Sequence, residues 1–240
     1  MIRAVLALLA GLFAAAPALA GDIAERAILG FSPEGSVFAF EEYGVQDGSG
    51  FPYSTVYFID TTRDAWLPDT PVRVVLEDEN QTLDAARAKA AALAAPHIAR
   101  HLIAPVGRIV ASNPSSEIPP DPHSIRFLAD LYSIWRDNTF TATVETYPIA
   151  APDCDRLDLG ESLGYRLKLA DWKGGVRILN EDKVIPASRG CPQDYRIADV
   201  ITFFPKNRQP VMVILLHLVA LGFEGPDYRF LAVATRFDDF

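Results

Sequence analysis

Cysteine is nearly absent from the 240-residue sequence, which contains only two cysteines, and their positions exclude several kinds of site. Cys154 and Cys191 lie far apart along the chain, so there is no Cys-x-x-Cys motif of the kind that binds zinc or exchanges disulfides. In an oxidising compartment, two cysteines in one domain usually pair with each other. We therefore predict a disulfide between Cys154 and Cys191.

Basic residues are also scarce relative to acidic ones. The chain has 22 Lys and Arg against 31 Asp and Glu, which gives a formal net charge of -9. A surface with this acidic excess repels phosphate groups, so it disfavours nucleic acid and anionic lipid as partners. Hydrophobic residues make up 50% of the sequence, which is enough to build a buried core and excludes a disordered chain.

Long apolar runs and internal repeats are missing beyond residue 20. The most apolar segment there, 211–223, is too short to cross a membrane as a helix and contains His217, so we predict a central buried strand. A propeller repeats its hairpin motif in every blade, whereas only the first part of this chain contains such a motif. The absence of a repeat therefore disfavours a propeller.

Residues 1–20 have the features of a signal peptide. Arg3 supplies a positive charge at the start, an apolar core follows, and Ala18-Leu19-Ala20 forms a small-x-small cleavage site. Pro17 interrupts the apolar core, which disfavours a membrane anchor, and no cysteine follows the site for lipid attachment. The sequence predicts a periplasmic or secreted protein that is cleaved after Ala20 and has no membrane span in its mature part.

Alternation of apolar and polar residues, which is typical of strands, dominates the rest of the chain. It predicts a mainly β (α+β) fold of antiparallel sheets, sandwich-like or strongly curved, with one substantial helix. A small or incomplete β-propeller is the alternative. The helix is predicted from an N-cap at Thr82 to about His101, and Pro96 should kink or break it because proline removes a backbone donor.

The mature chain, 21–240, is predicted as a single mainly β domain. A proline-rich loop at 112–122 disfavours regular strand pairing and favours extended, exposed backbone. This loop either joins two lobes, 21–111 and 123–240, or lies on the surface of one undivided domain.

The segment 30–60 predicts the start of a meander. A turn at Pro33–Gly35 precedes a strand from Val37 to Tyr43, and a glycine-rich loop at 46–50 leads to a second strand over 53–59. Alternate side chains of the first strand are apolar on both faces until Glu41 and Glu42. The two glutamates indicate a strand that is buried at its start and then emerges into solvent.

Two resemblances rest on this segment. The sequence 31–40, Phe-Ser-Pro-Glu-Gly-Ser-Val-Phe-Ala-Phe, resembles the inner hairpin of blades in periplasmic TolB-like β-propellers. The longer run 30–60, together with Gly-Phe-Glu-Gly-Pro-Asp at 222–227, is similar to a family of predicted secreted bacterial proteins of unknown function, domain of unknown function 2259. The second resemblance covers most of the mature chain and implies location and fold but no activity.

One motif points weakly to a hydrolase. Gly160-Glu-Ser162-Leu-Gly164 matches the G-x-S-x-G pattern, and His217 lies downstream, as the order of a Ser/His triad requires. That motif needs a strand before the serine and a helix after it, whereas here a polar segment precedes Ser162 and a strand-like run follows. Ser162 and His217 are therefore weak catalytic candidates, in a hydrolase acting on cell-envelope material.

Metal sites have equally weak candidates, and we predict no cofactor. His97 and His101 lie four residues apart on the predicted helix and would share one face, but Pro96 distorts that part of the helix. The acidic residues Asp153, Asp155 and Asp158 provide oxygen ligands of the kind that Ca²⁺ prefers, without the spacing of an EF-hand. Both sets are more typical of solvated polar positions.

The best binding candidate is the end of the first strand with its glycine-rich loop. Aromatic and acidic side chains are dense there and define the predicted binding residues Glu41, Glu42, Tyr43, Asp47, Phe51 and Tyr53. Adjacent residues on a strand point to opposite faces, so Glu41 and Glu42 cannot flank one scissile bond as a glycosidase pair does. The sequence predicts a non-enzymatic module that binds an envelope protein, a peptide or a carbohydrate here.

Overall fold

The computed structural model describes residues 21–117, 121–130, 138–151, 154 and 160–237. In this part of the chain three antiparallel sheets and one α-helix are present. The elements in chain order are β1 (Glu25–Phe31), β2 (Val37–Val45), β3 (Pro52–Asp60), β4 (Ala65–Trp66), β5 (Val72–Val75), α1 (Leu83–His101), β6 (Arg108–Ser112), β7 (Ser124–Leu128), β8 (Thr139–Pro148), β9 (Leu163–Ala170), β10 (Val176–Glu181), β11 (Pro192–Phe203), β12 (Val211–Leu221) and β13 (Pro226–Arg236).

The N-terminal sheet contains β1, β2 and β3, and both β4 and β5 pair with β3. The predicted turn is present: Gly35 has a φ of 70°, and its N–H donates to the carbonyl of Ser32. The predicted emergence of β2 into solvent is wrong, because Glu41 and Glu42 are only 8% and 3% exposed. The strand continues to Val45, and a layer packs on each of its faces.

Helix α1 lies on the outer face of the N-terminal sheet. The Thr82 side chain accepts a hydrogen bond from the Ala85 N–H and caps the helix as predicted. Three fully buried alanines, Ala86, Ala90 and Ala94, allow the helix to approach the sheet closely. The predicted break at Pro96 does not occur, because α1 continues to His101. Proline has no N–H to donate to the carbonyl of Ala92, but Ala92 is exposed, so water can bind that carbonyl instead.

The middle sheet has the order β13-β12-β11-β6 and lies between two cores. Successive residues of β12 alternate between them, since Met212, Ile214 and Leu216 pack towards the C-terminal sheet while Val213 and Leu215 pack towards the N-terminal sheet. All of these side chains are fully buried. The prediction of a central buried strand over this segment is therefore confirmed.

The C-terminal sheet has the order β10-β9-β8-β7 and covers the other face of the middle sheet. The predicted disulfide between Cys154 and Cys191 is present, with a Cα–Cα distance of 5.6 Å, and it ties the segment before β9 to the start of β11. The layers of the described chain are therefore α1, the N-terminal sheet, the middle sheet and the C-terminal sheet.

This architecture confirms a mainly β fold of antiparallel sheets with a sandwich-like arrangement. The described residues contain fewer sheets than the four blades of the smallest usual propellers. The division into two lobes stays a prediction; β6, which ends at Ser112, pairs with β11 from beyond the proline-rich loop. No helix in the described ranges is both long and apolar enough to cross a membrane.

The disulfide joins residues 37 positions apart and restricts the unfolded chain. Its removal should therefore raise the conformational entropy of the unfolded state and lower the stability of the fold. We expect the double variant Cys154→Ser, Cys191→Ser to lose about 3–4 kcal/mol of unfolding free energy in the chain-entropy model. Urea unfolding of both proteins under non-reducing conditions measures this difference. Equal unfolding midpoints, or free thiols in the native wild-type protein, would contradict it.

A second stability prediction concerns the attachment of α1. Glu41 accepts hydrogen bonds from Arg87 of α1, Nε at 3.0 Å and Nη2 at 2.8 Å, and from the Ser54 hydroxyl at 2.9 Å. The Glu41→Gln variant should lose about 2 kcal/mol of unfolding free energy. The neutral amide cannot form the ion pair with Arg87, and its NH2 group cannot accept one of the two hydrogen bonds. The matched control is Glu79→Gln at an exposed position. A loss no larger than that of the control would disprove the anchoring role of Glu41.

Candidate functional site

A cleft of about 630 Å³ follows the outer edge of β13. One wall is the inner face of the N-terminal sheet where that sheet extends beyond β13. The other wall belongs to the C-terminal sheet and to the 186–190 segment that precedes β11. The main side chains of the two walls are Tyr57, Trp66, Arg73, Tyr165, Asn180 and Arg189.

The floor of the cleft is the open edge of β13, and carboxylates from the N-terminal sheet bind its backbone. In an antiparallel edge strand, every second N–H points away from the sheet. The Phe230 N–H donates to Oε2 of Glu42, and the Ala234 N–H donates to Oδ1 of Asp64 at 2.7 Å. Ala232 lies between them and presents its N–H to the cleft by the same alternation. The Tyr228 N–H, further back on the same edge, donates to the carbonyl of Asp22 at 2.9 Å. Within the described residues the edge is thus occupied at three positions and open at Ala232.

Glu42 is buried at the base of the wall. Burial raises the pKa of Glu42, because the charged form loses water, and the bond from the Phe230 N–H offsets this only in part. The hydroxyl of Tyr57 lies 3.5 Å from Oε1 of Glu42. The carboxyl is therefore held in place and its protonated form is favoured relative to a solvent-exposed glutamate.

At one end of the cleft, a polar network joins the start of the described chain to β13. The Tyr53 hydroxyl donates to Oδ1 of Asp22 at 3.0 Å, and Arg229 pairs with Oδ2 of Asp22 at 2.5 Å. The Arg229 guanidinium also lies 5.0 Å from the centre of the Tyr53 ring. The charge of Arg229 is therefore compensated by the buried carboxylate of Asp22. The Arg229 side chain also packs beside Tyr53 in the wall of the cleft.

Asp64 borders the opposite end of the cleft, in the turn before β4. Desolvation by the surrounding protein raises the pKa of Asp64 to about 6, and the bond from the Ala234 N–H opposes that rise. Tyr165 of β9 is near enough for its phenol to sense the charge of Asp64. Asp64 consequently connects the turn before β4 to β13.

The aromatic wall continues outward from the core. The rings of Phe40 and Tyr57 are stacked with centroids 4.7 Å apart, and Trp66 lies 6.0 Å from Tyr57. Trp66 is 41% exposed, so its ring is available at the mouth of the cleft. The Arg73 guanidinium of β5 lies 5.8 Å from the Trp66 ring, and within the described residues Arg73 forms no direct ion pair.

The opposite wall is polar. Arg189 pairs with Oδ2 of Asp182 at 2.5 Å and lies 4.9 Å from the Tyr165 ring. Burial raises the pKa of Tyr195 to about 12, so this phenol stays protonated beside the guanidinium. The side chains of Asn180 and Ser188 also line this wall. The arrangement provides hydrogen-bonding groups opposite the aromatic wall.

The structure divides the sequence-predicted binding residues between two faces. Glu42 and Tyr53 line the cleft. Glu41 and Tyr43 lie on the opposite face of β2, where Arg87 binds Glu41 and stacks 3.8 Å from the Tyr43 ring. Two further predicted residues belong to the loop before β3: Oδ2 of Asp47 accepts the Glu224 N–H at 2.7 Å, and Phe51 is half-buried.

Ser162 and His217 lie on opposite sides of the middle sheet. Ser162 precedes β9 of the C-terminal sheet and is followed by a strand, not by the helix of a nucleophile elbow. His217 faces the N-terminal sheet with its ring 4.7 Å from Phe230, and burial lowers its pKa to about 4. The Ser162 hydroxyl and Nδ1 of His217 have no hydrogen-bond partner within the described residues. The structure does not bring them together, and their catalytic role stays a prediction.

The metal candidates belong to α1 and to the segment between β8 and β9. His97 packs its ring 5.2 Å from Phe58, and His101 is the last residue of α1. Asp153, Asp155 and Asp158 lie outside the described residues. Within the described ranges, no group of three or more His, Cys, Asp or Glu side chains is arranged to hold a metal ion.

The architecture places this chain among mainly β proteins with a sandwich-like arrangement of antiparallel sheets. Residues 39–236 match the family model of predicted secreted proteins, DUF2259, and the chain belongs to that family. The family is one of unknown function. No curated protein matches the chain.

Several cleft residues were not among the sequence predictions, chiefly Asp64, Trp66, Arg73, Arg189 and Arg229. Trp66 lies in β4 and Asp64 in the turn before it, and their residue types are common at binding sites. No local pattern distinguishes them from ordinary surface residues. Their convergence depends on pairings between distant parts of the chain.

The raised pKa of Asp64 leads to a prediction about stability and pH. The folded protein keeps this proton up to about pH 6, whereas the unfolded chain releases it near the ordinary value of 3.8. This group therefore stabilises the fold in acid, and the contribution is lost as the pH rises to about 6. In Asp64→Asn it is absent at every pH.

The unfolding free energy of Asp64→Asn minus that of the wild type should consequently rise between pH 4 and pH 7. Urea unfolding across this range measures the difference, with Asp69→Asn in an exposed turn as the control. A difference that is constant with pH would show that the carboxyl of Asp64 is solvated in the folded protein.

Proposed function

We propose that this chain is a non-enzymatic binding module that acts in the periplasm or outside the cell after cleavage following Ala20. Its ligand binds in the cleft along β13. The observation that carries the proposal is found at the mouth of the cleft, where the ring of Trp66 is exposed and the Arg73 guanidinium has no ion pair within the described residues. The carboxyls of the same cleft already bind backbone N–H groups. An envelope protein, a peptide or a carbohydrate is the expected class of ligand.

The size of the cleft supports this proposal. Ligand-binding pockets typically enclose about 300–1,000 Å³ and combine apolar walls with a few placed polar groups. The cleft along β13 has about 630 Å³, with aromatic residues on one wall and polar residues on the other. These dimensions suit a small ligand or one or two units of a polymer.

A hydrolase of envelope material is the second candidate, because Glu42 and Asp64 are two carboxyls with raised pKa in one cleft. They bind N–H groups four residues apart on β13, which corresponds to about 13 Å along a strand at about 3.3 Å per residue. The two carboxyls of a glycosidase are about 5–9.5 Å apart. The separation therefore favours binding over hydrolysis by this pair.

Oligosaccharide and peptide arrays test the proposal with the purified mature protein. We expect the wild type to be retained on at least one ligand class without cleaving it, and Trp66→Ala to lose most of that retention. The ring of Trp66 is half-exposed, so its removal should leave the fold largely intact. Leu93→Ala on the exposed side of α1 is the matched control.

Retention that is unchanged in Trp66→Ala would contradict binding in the cleft. Release of cleaved products from a retained ligand would favour the hydrolase instead. Loss of retention in Leu93→Ala as well would indicate general destabilisation and would remove the support for the cleft.

A further inference from the structure

From the groups at the mouth of the cleft, we infer that the ligand is an acidic saccharide whose sugar ring stacks on Trp66 and whose carboxylate binds Arg73. This inference rests on the proposed function and adds the chemical class of the ligand. It depends on four observations: the occupied N–H groups along the edge of β13, the exposure of Trp66, the charge of Arg73 and the polar groups that face them.

The edge of β13 argues against a peptide ligand. A peptide that binds at a sheet edge does so as an added strand, with its carbonyls accepting the outward N–H groups of that edge. Glu42 and Asp64 already occupy the N–H groups of Phe230 and Ala234. The Asp22 carbonyl occupies the N–H of Tyr228 as well. An added strand would have to displace these acceptors, so the Ala232 N–H, which has no acceptor within the described residues, suits a hydroxyl or another small polar group better.

Trp66 is suited to a sugar ring. One side of its indole is held by Tyr57 at 6.0 Å with the planes inclined by 53°, and 41% of the residue is exposed at the mouth. The C–H groups on one face of a pyranose are apolar, and they pack on a flat aromatic surface while the hydroxyls around the ring remain free for hydrogen bonds. A fixed, half-exposed indole beside polar groups provides that combination.

Arg73 determines the charge of the ligand. Arg229 is neutralised by Asp22, and Arg189 by Asp182. Arg73 is exposed, has no direct ion pair within the described residues and lies 5.8 Å from the Trp66 ring. A carboxylate on a sugar stacked on Trp66 is therefore within reach of the guanidinium, which binds carboxylates through two parallel hydrogen bonds.

The attraction for an anion is confined to Arg73. The whole chain has a formal net charge of -9, which would repel an acidic ligand from most of its surface. In the cleft, Asp22 and Asp182 compensate Arg229 and Arg189, whereas Arg73 has no ion pair within the described residues. An acidic ligand is therefore expected to bind through a direct contact with Arg73 and not through a general positive field.

The wall opposite Trp66 supplies hydrogen bonds for the hydroxyls. Asn180 and Ser188 line it, and Ala232, whose N–H has no acceptor within the described residues, lies on the floor. Directional polar groups facing an aromatic surface fix the orientation of a ring that has hydroxyls along its edge.

Isothermal titration calorimetry of the mature protein with uronic acid oligomers tests the inference. The neutral comparison is the oligomer of the same linkage and length in which each carboxylate is reduced to an alcohol. We expect the wild type to bind the acidic oligomer about tenfold or more tightly than the neutral one, which is the effect of one charged hydrogen-bonded pair.

The variants separate charge from stacking. Arg73→Gln should lower the affinity for the acidic oligomer to the level of the neutral one and leave the neutral affinity unchanged. Trp66→Ala should lower both affinities. Arg63→Gln, whose side chain is 83% exposed outside the cleft, removes the same overall charge and should change neither.

The contrary outcomes are distinguishable. If neither oligomer binds at millimolar concentration, or if Arg73→Gln retains the preference for the acidic oligomer, the inference is wrong. The proposed function would still be supported if the wild type is retained on an array ligand and Trp66→Ala is not. An equal loss of acidic binding in Arg63→Gln would show a general charge effect and would overturn the role of Arg73.

Discussion

The two-sided burial of β12 is the constraint on which the rest of this structure depends. Because Met212 and Ile214 pack on one side and Val213 and Leu215 on the other, the middle sheet needs a cover on both faces. Two outer sheets provide these covers, and the long-range pairings place them there. Each outer sheet extends beyond β13, the edge strand of the middle sheet. The cleft is therefore a consequence of covering a sheet with two layers that extend past its edge.

An edge strand inside a cleft has unpaired backbone groups, and these must bind something. Natural sheets commonly protect such edges with lysine, proline or bulges. In this protein, Glu42 and Asp64 of the facing sheet accept two of the outward N–H groups. Burial of Glu42 is unfavourable by itself, and the Phe230 N–H compensates for part of it. The same contacts attach the N-terminal sheet to β13.

Local features of the sequence were sufficient to predict the strands and the helix, since their signals are short. The alternation in β2, the turn at Gly35 and the N-cap at Thr82 are examples. The fate of Glu41 and Glu42 was mispredicted, because a charged pair at a strand end normally indicates solvent and the two covering layers are distant in sequence. The contact between Glu42 and Phe230 spans 188 residues. A site assembled from such contacts leaves no local pattern, and Asp64, Arg73 and Arg189 were missed for that reason.

The carboxyls of Glu42 and Asp64 also explain why the space along β13 remains polar. Two apolar side chains in place of Glu42 and Asp64 would remove the desolvation cost but would leave the N–H groups of Phe230 and Ala234 without acceptors. Apolar side chains that filled the cleft would provide no acceptor for either N–H group. Sequences depart from the rules of core composition mainly at functional sites, where the cost is offset elsewhere. Here the two fully packed cores on either side of β12 provide the stability that allows polar, partly open space along β13.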